Sequence, residues 1–351
     1  MAIQAKTVMF TAPGQLDVRD RALPEPAPDQ VVVRTVYSGI SAGTEMNVFR
    51  GLAPQWHARR DPTTALFAND DGPEWTYPLA YGYASVGRVE TIGPSVPPAA
   101  NLSVGDLVFT YTPHSSVSVV RWGDLVVLPS LADPRLGVFI ANLNTALNGA
   151  LDARPSLGDV VVVSGLGVIG LILVQLLRRA GVASIVAVDL LEQRRLLAKH
   201  FGADVVLNPG DGGVAEHVRS LTHNRGADIV IEVSGAAPAL NEAIRTVGYN
   251  GRVIVMSWYG ANLGSLSLAA EFHHNRPRLI ASQVGGINPD LGPLWSVQRR
   301  RDLATSLVDQ VQLEPLVTHE FPVDEALKAY TLIDQGDPEV VQCVLSYGED
   351  R

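Results

Sequence analysis

Cysteine is almost absent from the chain, which has a single thiol, Cys343, among 351 residues. One cysteine excludes an intramolecular disulfide and a structural zinc site built from four thiolates. Positive charge is also in short supply, with 27 Lys and Arg against 36 Asp and Glu and a formal net charge of −9. A nucleic-acid or anionic-membrane partner requires a positive surface, so we expect neither as a partner.

The first ten residues, MAIQAKTVMF, have no charged leader followed by an apolar core. The sequence therefore predicts no secretory signal and a cytoplasmic protein. One segment, residues 160–177, approaches the ~20 apolar residues of a membrane span. Its three glycines, and a β-branched run confined to its first third, favour a buried strand, a tight turn and a buried helix instead.

The predicted secondary structure changes near the middle of the chain. Residues 1–135 contain short β-branched and aromatic runs separated by Gly, Pro or Asp, which is typical of a β-rich domain. From Asp159 onward apolar strands alternate with helical stretches, and this pattern predicts right-handed crossovers and a doubly wound parallel sheet. The length agrees with two domains, because single cores stop growing at ~250–300 residues.

Residues 165–170, GLGVIG, follow a predicted strand and open a predicted helix. In this context the pattern favours dinucleotide binding. Gly165 would permit the tight turn, Gly167 would let the backbone approach a pyrophosphate, and Gly170 would let helix and strand pack closely. Val168 and Ile169, between these glycines, are also cofactor-binding candidates. The helix that follows is predicted over 171–180, and its N-terminal N–H groups would face the phosphates.

Asp189 ends the second strand of this unit, 19 residues after Gly170. A carboxylate at that spacing accepts hydrogen bonds from the adenosine ribose and repels a 2′-phosphate, which favours NAD over NADP. Arg194 and Arg195 follow closely and leave NADP possible, although a solvated helix face explains them better. Ser234, at the end of a later strand, is another cofactor-binding candidate.

The whole pattern resembles the medium-chain dehydrogenase/reductase superfamily, over nearly the entire chain. The resemblance is carried by SGISAGTE at 38–45, PLAYGYASVGRVETIG at 78–93, SVGDLVF at 103–109 and the glycine motif with Asp189. It implies an α/β fold with a doubly wound Rossmann cofactor domain, residues 141–284, and a β-rich GroES-like catalytic domain, residues 1–140 and 285–351. It also implies an active site in the cleft between the domains.

The chain departs from the zinc-dependent members at the metal site. Their cysteine position is Ser41 here, their histidine position is Tyr83 and their glutamate position is Ala84. A catalytic zinc needs three nitrogen, sulfur or carboxylate ligands. We therefore predict a zinc-independent site with no bound metal.

Without a metal, another group must stabilise the developing charge or transfer a proton. Tyr83 is the first candidate, as hydrogen-bond donor or acid, although it could simply fill the vacated metal volume. Ser41 and Glu45 lie together on another loop, which should face the cofactor. Glu45 could equally cap the helical turn that follows it. His273, in the titratable run 271–276, is a further candidate acid, although adjacent histidines in a polar loop are more often solvated.

Other positions are implied by the resemblance to lie near the nicotinamide. Ser282, Gln283 and Val284 match the segment whose backbone holds the carboxamide. Trp258 and Tyr259 follow the fifth strand of the cofactor domain and, together with Tyr81, are candidates for a substrate pocket. The alternative is that these aromatic residues pack at a domain or subunit seam.

The sequence thus predicts a zinc-independent NAD(P)-dependent oxidoreductase acting on a small molecule that is apolar or ring-bearing. Two chemistries stay open, alcohol/carbonyl interconversion and reduction of a conjugated alkene. A non-catalytic NAD(P)-binding sensor or structural subunit is the alternative from another class. We also expect a homodimer that pairs through an edge strand of the cofactor domain, for which residues 251–257, GRVIVMS, are the candidate.

Overall fold

The computed structural model describes residues 3–68, 72–260 and 266–348. It divides the chain into two compact units, one formed by residues 1–141 with 314–351 and the other by residues 142–313. The first unit is therefore discontinuous in sequence, and the second is inserted into it.

The strands in chain order are β1 Ile3–Ala12, β2 Gln15–Leu23, β3 Gln30–Gly39, β4 Arg59–Arg60, β5 Phe67–Ala68, β6 Leu79–Ala80, β7 Ser85–Ile92, β8 Leu107–Thr110, β9 Val117–Arg121, β10 Leu125–Val127, β11 Val160–Ser164, β12 Ser184–Val188, β13 Val205–Leu207, β14 Ala227–Glu232, β15 Val247–Val255, β16 Arg278–Ala281, β17 Val317–Pro322 and β18 Gln342–Ser346. The α-helices are α1 Thr44–Phe49, α2 Ile140–Ala153, α3 Val168–Ala180, α4 Glu192–His200, α5 Val214–Leu221, α6 Ala237–Thr246, α7 Glu271–Asn275, α8 Val297–Leu307 and α9 Ala326–Asp334.

The first unit is β-rich, as its sequence predicts. Its larger sheet has the order β10-β8-β7-β3-β18-β17, with β9 also pairing with β3, and a smaller sheet has the order β2-β1-β6. Strand β18 is antiparallel to β3 and parallel to β17, so the C-terminal segment completes a sheet begun near the N-terminus. Cys343 lies on β18 with 1% of its surface exposed, and burial raises the pKa of its thiol to about 12.

The second unit is built on a six-stranded parallel sheet with the order β13-β12-β11-β14-β15-β16. Its central strands are continuous apolar runs because helices cover both faces of such a sheet. Helix α3 begins at Val168, three residues before the predicted start at 171, because Gly167 already serves as its N-cap. The predicted doubly wound α/β fold is confirmed.

Two expectations about this part of the chain need correction. Residues 251–255 belong to β15, an inner strand between β14 and β16, so the edge strand is β16 and not GRVIVMS. Residues 285–313 pack with the second unit, whereas the sequence placed them in the catalytic domain. The reason is Arg300 on α8, whose buried guanidinium is hydrogen-bonded within the second unit, to Asn144 among others.

The apolar segment 160–177 forms strand β11, a turn and the first ten residues of α3. Over the ranges that the structure describes, no helix combines the length and the apolar run that crossing a membrane would require.

Candidate functional site

In the second unit, the turn between β11 and α3 has the geometry that its glycines predict. Gly165 has a φ of +99°, in the left-handed region. A Cβ on Gly170 would lie 1.9 Å from the carbonyl oxygen of Gly165, which no side chain could tolerate. A Cβ on Gly167 would have no described atom within 4 Å, so the backbone there faces open space.

These features fit a dinucleotide pyrophosphate. Gly167 is the N-cap of α3, a 13-residue helix, and among the described residues no side chain is hydrogen-bonded at this cap. The N–H groups of the first turn are thus available to an anion at the positive end of the helix dipole. Open space at Gly167 gives that anion room to approach.

Asp189 follows the neighbouring strand β12, as predicted. Its Oδ2 accepts a hydrogen bond of 2.7 Å from the backbone N–H of Leu166, inside the glycine motif, and its Oδ1 accepts one of 2.8 Å from Leu191 N–H. Arg195 donates to the Asp189 carbonyl oxygen at 2.8 Å, and Arg194 lies half-buried on α4. The carboxylate is fixed beside the turn, with lone pairs remaining for ribose hydroxyls.

The carboxyl end of β14 carries a group that the sequence analysis missed. Glu232 is fully buried, and its Oε1 accepts hydrogen bonds from Ser234 N–H at 2.7 Å and Ser234 Oγ at 2.5 Å. Its Oε2 accepts the hydroxyl of Tyr259. Burial, followed by this contact with Glu232, raises the pKa of Tyr259. Tyr259 is thereby tied to the same sheet edge as the glycine motif, while Trp258 beside it is exposed.

Segment 282–286 follows β16 and is held by a buried polar network. Arg300 is fully buried and donates to Asn144 Oδ1 at 2.8 Å, to Gly286 O at 2.7 Å and to Val284 O. Asn148 accepts another Arg300 N–H and donates to Ser282 Oγ at 2.9 Å. Gln283 is exposed, and its Oε1 accepts the N–H of Gly285. The predicted segment is therefore rigidly supported, by an arginine that the sequence alone did not single out.

The first unit brings the other group of predicted residues together. Tyr83 is half-buried and is hydrogen-bonded to the hydroxyls of Ser41 and Thr44. Burial, and then the charge of Glu45, raise the pKa of Tyr83 to about 12. The phenol is therefore neutral at physiological pH and can donate a proton or a hydrogen bond.

Glu45 lies behind Tyr83 and is fully buried. Its Oε1 accepts the N–H of Ser41 at 3.0 Å, and its Oε2 accepts the hydroxyl of Tyr330. The same Oε2 lies 2.7 Å from Nε2 of His114, which is also fully buried. Glu45 thus reaches back to the loop before α1, and it is also part of a buried acid–imidazole pair.

His114 was not predicted, since an isolated histidine between two strand-like runs has no distinguishing pattern. Its Nδ1 lies 2.7 Å from Ser38 Oγ, which is itself 3.0 Å from the hydroxyl of Tyr347. Its carbonyl accepts the N–H of Val8 at 2.9 Å. The imidazole is therefore fixed on every side by residues far apart in sequence.

Aromatic side chains of the first unit form a continuous row beside Tyr83. Ring centroids are 6.4 Å apart for Tyr81 and Tyr83, 5.3 Å for Trp75 and Tyr81, and 5.7 Å for Trp56 and Trp75. Tyr81 is half-buried, and burial raises its pKa. In the second unit, His273 is exposed on α7 beside His274, 5.3 Å between ring centroids. No described contact connects His273 with the glycine motif.

A catalytic zinc does not fit the first unit's residues. Ser41 and Tyr83 are hydrogen-bonded to one another, and Ala84 offers only a methyl group. Glu45 and His114 use their facing atoms on each other. Among the described residues, no cluster of three or more His, Cys, Asp or Glu side chains is arranged to hold a metal ion.

One unit of the chain has a parallel sheet with a glycine-rich turn that fits a dinucleotide, and the other has a buried acid–imidazole pair. These features are typical of a dinucleotide-dependent oxidoreductase. The family described as "Zinc-binding dehydrogenase" matches residues 168–296. D-guloside 3-dehydrogenase of Escherichia coli K12 is 30% identical over 314 residues, covering 86% of this chain and 88% of that protein.

Solved structures share the fold. A zinc-binding dehydrogenase of Sinorhizobium meliloti, bound to NADP, has a TM-score of 0.77 at 21% identity, covering 98% of this chain and 100% of that one. An alcohol dehydrogenase of Escherichia coli CFT073, complexed with NADH, has a TM-score of 0.77 at 18% identity, covering 98% and 99%.

The chain belongs to the medium-chain dehydrogenase/reductase superfamily, in the branch typified by zinc-containing alcohol dehydrogenases. It is an NAD(P)-dependent enzyme of that superfamily, and the predicted oxidoreductase activity is confirmed. The relatives that establish the family are dehydrogenases, so the sensor alternative is set aside.

Proposed function

We propose that this enzyme transfers a hydride without zinc, between NAD and a secondary alcohol or ketone on a ring-bearing substrate. The observation that carries the proposal is the Tyr83 hydroxyl, hydrogen-bonded to Ser41 and Thr44 at the position where zinc-dependent relatives have a metal ligand. Alkene reduction is the less favoured chemistry, because the D-guloside relative is named for an alcohol oxidation.

The side chains have separate roles in this proposal. When bound, the nicotinamide supplies or accepts the hydride at its C4 atom. In the reducing direction Tyr83 donates its proton to the oxygen of the new alcohol, and in the oxidising direction the phenolate takes that proton back. Ser41 and Thr44 orient the phenol, and they stabilise its phenolate when the proton has left.

Asp189 supports the choice of NAD over NADP. Its carboxylate is held beside the glycine motif by Leu166 and Leu191 N–H groups, where a 2′-phosphate would meet a fixed negative charge. Segment 282–284 and Ser234 are proposed to contact the nicotinamide half of the cofactor. Arg194 is proposed to lie near the adenosine ribose.

The aromatic row favours a substrate with a ring. Tyr81, Trp75 and Trp56 form a half-buried aromatic row beside Tyr83, and the C–H face of a sugar or alicyclic ring packs well on aromatic surface of this kind. The D-guloside relative acts on a glycoside by its name, and we propose a related cyclic alcohol for this chain. Trp258 and Tyr259, at the carboxyl end of the parallel sheet in the second unit, are proposed as further substrate-contacting residues.

The test is a fluorescence titration with NADH and with NADPH, on protein whose zinc content is measured by mass spectrometry of the same sample. A panel of cyclic alcohols and ketones is then assayed, with enones in a parallel panel. We expect tighter binding of NADH, turnover in the absence of zinc and activity on the cyclic alcohols. Turnover that requires added zinc would overturn the metal-free proposal, and Asp189→Asn should reduce the preference for NADH.

We also propose that the enzyme forms a homodimer through β16, the edge strand of the parallel sheet. One side of β16 is hydrogen-bonded to β15, and Leu279 on it is 36% exposed. An uncovered edge of this kind pairs readily with a second copy. Sedimentation of the wild type and of Leu279→Lys tests this, and a monomeric wild type would contradict it.

A further inference from the structure

Two fully buried ionisable side chains, Glu45 and His114, have no role in the reaction as described so far. A buried carboxylate is costly unless it is paired and hydrogen-bonded. Glu45 meets this condition with three donors, namely Ser41 N–H, the Tyr330 hydroxyl and His114 Nε2. The Glu45–His114 pair is therefore fully hydrogen-bonded within the first unit, and Glu45 is close enough to Tyr83 for its charge to raise the pKa of the phenol.

His114 is in direct contact with the loop that carries Tyr83. A Cβ on Gly82 would lie 2.8 Å from His114 Cδ2 and 2.9 Å from its Nε2, so only glycine allows the imidazole this close to the backbone. The backbone N–H of His114 also donates to the Tyr81 carbonyl oxygen at 3.4 Å. A substitution at His114 should therefore affect the positions of Tyr81 and Tyr83, the residues on either side of Gly82.

The hydrogen bonds around His114 hold its ring at both nitrogens. Nε2 lies 2.7 Å from Glu45 Oε2, and Nδ1 lies 2.7 Å from Ser38 Oγ, which is 3.0 Å from the Tyr347 hydroxyl. The side chain that faces the Glu45 carboxylate is therefore fixed in position.

The Glu45 carboxylate lies among other ionisable groups. Within the part of the chain that the structure describes, the ionisable groups that face Glu45 are His114 and four tyrosines: Tyr83 and Tyr81 come from the loop before β7, Tyr330 from α9 and Tyr347 from the residue after β18. The charge of Glu45 raises the pKa of each of these tyrosines.

We propose that Glu45 and His114 are positioning residues: Glu45 sets the charge beside the Tyr83 hydroxyl, and His114 holds that carboxylate in place. The inference rests on the proposed role of Tyr83 as proton donor. The fixed carboxylate disfavours the phenolate and so holds Tyr83 in its donating form.

The experiment uses the full-length protein and four variants: Glu45→Gln, His114→Gln, Tyr330→Phe and Tyr83→Phe. Ionisation of Tyr83 is followed by ultraviolet absorbance at alkaline pH. The signal of Tyr83 is the difference between each protein and the same protein with Tyr83→Phe added. This readout does not depend on turnover. A second readout is the pH profile of hydride transfer in a single turnover with NADH.

We expect Glu45→Gln to lower the pH at which Tyr83 ionises by at least about one unit, because it removes the negative charge. His114→Gln keeps a hydrogen-bond donor close to Glu45 and leaves the carboxylate in place, so it should leave this alkaline ionisation of Tyr83 largely unchanged. Tyr330→Phe disturbs the same carboxylate but keeps its charge, so it controls for packing and should not lower the pH of Tyr83 ionisation.

An unchanged Tyr83 ionisation in Glu45→Gln would overturn the inference, as would the same decrease in Tyr330→Phe. A decrease in His114→Gln as large as that in Glu45→Gln would also count against it. If Tyr83 ionises as expected but hydride transfer in Tyr83→Phe is undiminished, the charge-setting pair stands and the proposed role of Tyr83 as donor fails.

Discussion

Tyr83 keeps its proton across the neutral range because burial and the charge of Glu45 both raise its pKa, to about 12. The folded state disfavours ionisation of this phenol, so the neutral Tyr83 side chain contributes to the free energy of unfolding. This contribution is complete below the ordinary tyrosine pKa near 10, and it is lost as the pH rises through about 12. A donor of this kind works best for reduction at neutral pH and for oxidation at alkaline pH.

Replacing Tyr83 by phenylalanine tests the donor directly. We expect the rate of ketone reduction to fall by about 10²- to 10⁴-fold, the usual contribution of a positioned acid. NADH affinity should change little, because the glycine motif belongs to the other unit. Tyr81→Phe is the matched control, since it removes a neighbouring hydroxyl and keeps the ring. Stopped-flow measurement of NADH oxidation gives the rates, and equal rates for the two variants would rule out Tyr83 as the acid.

Single substitutions at the glycines of the β11–α3 turn should separate cofactor affinity from stability. Gly167→Ala adds a methyl group in open space, so thermal stability should be unchanged while NADH affinity falls about tenfold or more, or about 1.4 kcal/mol. Gly170→Ala places the methyl group against the Gly165 carbonyl and should destabilise the unit itself. Calorimetry and NADH titration of both variants separate the effects, and unimpaired binding by Gly167→Ala would contradict the assigned phosphate site.

At the scale of elements, helix α8 supports the loop after β16 through one buried side chain. Arg300 donates to the Val284 and Gly286 carbonyls and to Asn144 and Asn148. Because its removal leaves these buried oxygens without donors, Arg300→Met should destabilise the protein by about 3 kcal/mol. Arg301→Met is the control, since Arg301 is exposed on the same helix. Urea denaturation measures both, and equal losses would contradict a special role for Arg300.

The loss in Arg300→Met should also depend on pH. Burial raises the pKa of Asp152 in the wild type, while hydrogen bonds from Ser282 and Asn288 and the charge of Arg300 oppose that rise. Without Arg300 the pKa of Asp152 rises further, and a raised carboxyl pKa costs stability as the pH increases through it. The destabilisation should therefore be smaller near pH 4 than at pH 7.

The elements themselves were largely predictable from sequence. Strand β11 and helix α3 form where segment 160–177 predicts a buried strand, a tight turn and a buried helix. The identity of the edge strand was not predictable, since β15 and β16 have similar apolar runs and pairing order depends on the tertiary fold.

The site was predictable only where a local motif encodes it. Gly165, Gly167, Gly170 and Asp189 lie within 25 residues of one another and share a single turn-and-strand geometry. His114, by contrast, meets Glu45 across 69 residues. Such a pairing leaves no periodic signal, because it depends on which strands become neighbours. Arg300 was missed for the same reason.

At the scale of the whole molecule, the first unit depends on chain segments from both sides of the inserted unit. β18 pairs with β3, and Tyr330 and Tyr347 from the C-terminal segment complete the network around Glu45. The charge-setting pair can therefore form only when residues 314–348 have joined the sheet begun by residues 3–39. Assembly of this site reports the folding of the entire unit.

Cys343 makes that assembly measurable. Cys343 lies on β18 opposite His319 of β17, and it is 1% exposed with a thiol pKa that burial raises to about 12. In the native state it should react with a thiol reagent far more slowly than a free cysteine, and denaturant should accelerate the reaction in parallel with unfolding. Rapid labelling of the native protein would contradict the described burial.

Since Cys343 is the chain's single cysteine, each modified molecule carries one label and no background from other thiols. The labelling rate of Cys343 therefore measures how often the C-terminal strand opens, and mass spectrometry can follow it without an introduced probe. Comparing labelling rates with and without NADH would show whether a cofactor bound by the inserted unit slows the opening of the discontinuous one.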